Sequence, residues 1–64
     1  MKKYHVVFEG VTKNYAPRNY QRRVGANSKD EAVEIARKQI DHAAHMGIVE
    51  PLRDMKVIQI FEEV

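Results

Sequence analysis

The chain has 64 residues, 44% of them hydrophobic and 31% charged, with a net charge of +2 and no cysteine. That length predicts one domain, residues 1–64, near the lower limit at which an unstapled core holds. Without cysteine, disulfides and cysteine-ligated zinc are excluded as staples. The aliphatic content argues against disorder. No apolar run approaches the roughly 20 residues of a membrane span, and the start Met1-Lys2-Lys3-Tyr4-His5-Val6 lacks the apolar core of a signal peptide. A cytoplasmic protein with no membrane partner is the expectation.

Residues 3–12 read as the first strand. Tyr4, Val6 and Phe8 alternate with His5, Val7, Glu9 and Val11, the period of two that sends successive side chains to opposite faces. Gly10 marks a bulge or twist near the strand's end. Asn14 and Pro17 suit a turn, and a more polar second strand follows over residues 19–26, with Tyr20, Arg22, Val24 and Ala26 on one side and Gln21 and Arg23 on the other. So polar a strand belongs at a sheet edge.

Both ends of the helix, expected from Ser28 to about Met46, are marked. Ser28 followed by Glu31 fits a capping box, and Asp30 and Glu31 sit where the positive end of the helix dipole favours acids. Ala32, Ile35, Ala36, Ile40 and Ala43 recur at offsets of three and four, giving one apolar stripe with Val33 and Ala44 at its margins. Glu34 and Lys38 form an i, i+4 pair on the wet face. Gly47 is placed to cap the C-terminus, and Pro51 opposes continuation.

Residues 55–63 form the third strand. Alternation there puts Ile58, Ile60 and Val64 on one face and Val57, Gln59 and Phe61 on the other. The order predicts an α+β domain of ββαβ type: a three-stranded antiparallel sheet with the first strand central and one helix packed on one face. Tyr4, Val6, Phe8, Val24, Ile58 and Ile60 are expected beneath the helix. His5, Val7, Glu9, Gln21, Arg23, Val57, Gln59 and Phe61 are left on the open face, where Val7, Val57 and Phe61 make a candidate self-association surface for a homodimer packed through its sheets.

The run from Lys13 to Arg23 holds four of the eleven basic residues and two of the three tyrosines, with no acid among them. Lys13, Tyr15, Arg18, Tyr20, Arg22 and Arg23 are therefore the candidate partner-binding residues. Basic groups pair with phosphates and tyrosine rings stack on unpaired bases, and the same side chains suit an acidic protein surface. Recognised nucleic-acid motifs are missing. His42 and His45, three apart beside Asp41, offer two points of a metal site, but no recognised spacing brings His5 or an acid as a third ligand, so no metal and no cofactor are expected. Catalysis is not expected either: Ser28 is occupied as a cap, Thr12 has no evident base and orienter, and Gly10, Gly25 and Gly47 stand too far apart for a phosphate loop.

The element order, the length and the segment Arg23-Val24-Gly25-Ala26-Asn27-Ser28-Lys29-Asp30-Glu31-Ala32-Val33-Glu34-Ile35-Ala36-Arg37-Lys38 resemble many short phage and mobile-element proteins. Among these are some anti-CRISPR proteins of comparable ββαβ arrangement, with a similar step from a strand through a polar cap into an Ala/Ile-rich helix. The likeness covers most of the chain in pattern and transfers no site residue. It implies a stoichiometric inhibitor that occupies a nucleic-acid-binding bacterial defence complex, a protein or ribonucleoprotein partner, without chemistry. A small regulator binding nucleic acid directly through the basic, aromatic hairpin is the alternative.

Overall fold

A computed structural model describes residues 1–63. Strands β1 (Lys2–Val11), β2 (Pro17–Ala26) and β3 (Arg53–Glu63) form one antiparallel sheet in the order β2-β1-β3, with helix α1 (Lys29–His45) between β2 and β3 in sequence. This is the expected ββαβ architecture. The strands run longer than alternation alone suggests: β2 begins two residues earlier, at Pro17, and β3 begins at Arg53 rather than Met55. Thr12 belongs to the turn rather than to β1. It is buried, its backbone pairs with Ala16 and Tyr15, and its Oγ1 accepts from the amides of Asn14 and Ala16 at 3.3 and 3.1 Å.

The helix starts and ends where its sequence indicates, with the Ser28 half of the expected capping box in place. Ser28 Oγ accepts from the Glu31 amide at 3.2 Å. At the other end Met46 is the cap, Gly47 adopts φ 77°, and the amides of Gly47 and Ile48 donate to Ala44 and Ala43 carbonyls at 3.1 and 2.8 Å. This paired closure satisfies two otherwise orphaned carbonyls and needs the left-handed conformation that glycine adopts without steric cost. Ala32, Ala36, Ile40 and Ala43 are buried, and the small alanines let α1 approach Tyr4, Val6, Phe8, Val24 and Ala26 closely. The helix lies over β1 and β2. Met55, Val57 and Ile60 of β3 therefore pack only against the margin of the core and stay half-buried, joined there by Arg37, whose guanidinium sits 5.3 Å from the Phe8 ring centroid and donates to the Met55 carbonyl at 3.1 Å.

The facing of β3 departs from simple alternation. Val7 pairs with Gln59 but Phe8 pairs with Val57, so Ile58 is an extra residue in the ladder. Such a bulge shifts the parity of everything on one side of it. Val57 consequently faces the helix side and packs on the core, whereas Ile58 is 43% exposed, the reverse of the alternating pattern. Ile60 faces the helix as expected; the expectation for Val64 lies outside the described residues. A second shift falls between Glu9 and Val11, around Gly10, opposite the positive-φ residue Asp54 (φ 53°). Here the glycine is needed for proximity: a Cβ on Gly10 would sit 2.9 Å from Leu52 Cβ and 3.0 Å from the Arg53 carbonyl oxygen.

Candidate interaction surfaces

The six hairpin residues do not form one site. Lys13, Tyr15 and Arg18 cluster at the β1–β2 tip and are exposed. Tyr15 holds φ 63° and is 71% exposed. Arg53, absent from the expected set, completes this tip: its guanidinium lies 5.5 Å from the Tyr15 ring centroid and donates to the Tyr15 hydroxyl at 3.4 Å. The early start of β3 is what carries Arg53 across to the hairpin, opposite Val11.

Further along β2 the pleat divides the rest. Tyr20 and Arg22 lie on the helix side and are half-buried, whereas Arg23 lies on the open side. Tyr20 donates its hydroxyl to the Glu50 carbonyl at 2.6 Å and packs against the core, so it fastens the connection between α1 and β3. Arg23 Nε is 3.1 Å from Glu63 Oε1, an ion pair that reaches from β2 across β1 to β3. Lys2 and Glu62 form a second pair at 3.5 Å near the same end of the sheet. Both pairs are exposed enough for water and salt to screen them.

The open sheet face carries the other constellation. Phe61 is 49% exposed beside Ile58, and Val7, on the central strand beneath them, is only 7% exposed. His5 and Phe61 are cross-strand partners with ring centroids 6.1 Å apart. The His5 ring donates from Nε2 to Gln21 Oε1 at 2.7 Å. The result is a surface on which Ile58 and Phe61 flank Gln59 over the buried Val7, edged by the His5 imidazole, Gln21 and Arg23. Of the expected self-association residues, Val7 and Phe61 belong to it; Val57 does not, because the bulge turns Val57 to the helix side and supplies Ile58 instead.

His42 and His45 are exposed on the last turns of α1, while His5 is on the far side of the sheet, so the three cannot converge. Among the described residues no three His, Asp or Glu side chains are grouped to hold a metal ion. An open depression of about 340 Å³ lies between the C-terminal half of α1 and the start of β3, lined mainly by Ile40, Ala44, Leu52 and Met55 with Asp41 and His45 at its rim. No helix among the described residues is long and apolar enough to cross a membrane. Comparisons of the chain with protein-family models, with curated proteins and with solved structures find no match.

Proposed function

We propose that this protein is a small non-catalytic interaction module that docks a protein partner on its open sheet face, working in the cytoplasm by occupying the partner's surface. The observation that carries this reading is the exposed pair Ile58 and Phe61, which flank Gln59 over the buried Val7, with His5, Gln21 and Arg23 beside them. An apolar, aromatic centre inside a polar rim with arginine is the anatomy of protein contact surfaces, where a few central residues dominate the affinity. The resemblance to short phage proteins adds the form this activity takes: stoichiometric inhibition of a bacterial, CRISPR-type defence complex.

The test is capture from bacterial lysate by tagged protein, with and without nuclease, using wild type and Phe61→Asp. A stoichiometric protein complex that survives nuclease and disappears with Phe61→Asp, at unchanged circular dichroism, supports the face as the site. A complex that tolerates Phe61→Asp sinks it. Because Arg22 and Arg23 point to opposite faces, Arg23→Glu should weaken the complex while Arg22→Glu leaves it intact.

A second reading rests on the tip, where Tyr15 stands exposed among Lys13, Arg18 and Arg53. An exposed ring amid cations suits a stacked base flanked by phosphates. Single-strand affinity should then fall linearly with the logarithm of salt, with a slope of about −0.7 per phosphate neutralised, and Tyr15→Ala should cost about 1–3 kcal/mol. Binding insensitive to salt removes this reading.

A further inference from the structure

The two free edges of the sheet are built differently. The outer edge of β2 carries Pro17, Arg18, Arg22, Arg23 and Gly25, residues that blunt an edge by charge, by a missing donor and by weak strand preference. The outer edge of β3 is eleven residues long, and its centre, residues 57–61, reads Val-Ile-Gln-Ile-Phe without a charge. Its helix-side residues Met55, Val57 and Ile60 remain half-buried because α1 sits over the other two strands. A long edge, apolar on both faces, offers both backbone hydrogen bonds and side-chain burial to an added strand.

We infer that this edge pairs with β3 of a second copy, joining two sheets into one of six strands about a two-fold axis. The argument for self-pairing is one of facing. The bulge leaves Met55, Val57, Ile60 and Glu62 on the helix side, and Lys56, Gln59 and Phe61 on the open side together with Ile58. One antiparallel register keeps like faces together along the whole strand. It sets Val57 against Ile60 of the second copy, Lys56 against Phe61, Met55 against Glu62, and Ile58 against Gln59 beside the axis. Registers one or two residues away put helix-side residues opposite open-side ones. Charge agrees, since Lys56 comes diagonal to Glu63 of the second copy on the same face, within the reach of long side chains. Asp54 falls opposite Glu63 at the ladder's end, where its positive φ takes the strand out of regular pairing. The fold also gains by it: Phe8 and Val6 are the largest fully buried side chains, a thin core for a chain without disulfides.

Sedimentation equilibrium and cysteine cross-linking test the pairing, the latter aided by a chain that has no cysteine of its own. Wild type should sediment at twice 7.5 kDa. Ile58→Lys, which sets two cations beside the axis, should give a monomer with an unchanged circular dichroism spectrum. A mixture of Lys56→Cys and Phe61→Cys proteins should form a mixed disulfide that neither forms alone, because opposed residues in an antiparallel ladder lie about 4.5–5.5 Å apart at Cα, within disulfide reach. A 7.5 kDa species at every concentration overturns the inference, including the case in which β3 takes a strand from a different protein. So does a dimer without the mixed disulfide, which would place the contact on the sheet face instead.

Discussion

Deleting Ile58 is the sharpest test of how β3 is built. The ladder runs Val7 to Gln59 and Phe8 to Val57, so removing the residue between them restores regular pairing without turning any other side chain over. The energies nearly cancel. Ile58 is 43% exposed, and losing its partial burial costs about 0.8–1.5 kcal/mol, half the value of a fully buried aliphatic side chain. One fewer residue to order returns about 1–2 kcal/mol. The net change should lie within about 1 kcal/mol, a shift of less than about 1 M in the urea midpoint at the slope of a small domain. Deleting Ile60 provides the contrast: it removes a side chain packed on the core, and closing the ladder over the bulge brings Gln59 opposite Val6 in its place while residues 61–63 keep their partners. That should cost about 2–5 kcal/mol, much of the total available to a domain at about 0.05–0.15 kcal/mol per residue. Urea unfolding followed by circular dichroism compares the two. Equal losses would mean that Ile58 is not the extra residue, and the assignment of β3's faces would fall with it.

Other perturbations bear on the frame around these surfaces. Gly10→Ala should destabilise by about 1–3 kcal/mol, the range for overpacking, because the new methyl meets Leu52 Cβ at 2.9 Å and the Arg53 carbonyl at 3.0 Å; an unchanged unfolding midpoint would refute that close approach. Ser28→Ala removes the acceptor for the Glu31 amide and should cost about 1 kcal/mol, whereas Ser28→Asp should restore most of it in the same unfolding assay. Tyr20→Phe breaks the 2.6 Å hydrogen bond to the Glu50 carbonyl at about 0.5–1.5 kcal/mol, and hydrogen exchange should quicken in residues 48–52 while β1 amides stay protected. Uniform acceleration would show that Tyr20 supports the core rather than the connection.

The helix was legible because its signals are local. Ser28, the apolar stripe and Gly47 lie within one segment, and each acts on backbone groups a few residues away. The facing of β3 was not, because Val57 and Ile58 are both apolar and β-branched, and either fits a core position. What decides between them is the register against Val7 and Phe8, fifty residues earlier in the chain. Arg53 escaped notice for a related reason. Its strand starts at Arg53 and runs on through the positive-φ residue Asp54, and an aspartate two residues after Leu52 is a faint signal for that conformation. The side of Tyr20 followed from alternation, but its hydroxyl is spent on a carbonyl thirty residues away, so a residue read as free for a partner is part of the frame.

The open face and the β3 edge are compatible as functional surfaces, and their combination has a consequence neither has alone. A two-fold axis perpendicular to the sheet leaves both helices on one side and both open faces on the other. The Ile58–Phe61 patches of two copies then adjoin across the axis instead of facing apart, doubling the apolar area shown to one partner. If the partner also carries two copies of its site, the second contact forms at the effective concentration set by the first, and avidity rises without any new kind of contact. Ile58→Lys acts on both levels by breaking the pairing and charging the patch, whereas Arg23→Glu, on β2 at the far side of the sheet, acts on the face and reaches the paired edge only through its ion-pair partner Glu63. Because Ile58 lies in the patch itself, a complex lost in Ile58→Lys reports the patch and the pairing together. The stoichiometry of the wild-type complex separates them: two copies of this chain per partner would show that the joined face is the binding unit, and one copy per partner would show that each copy binds by itself.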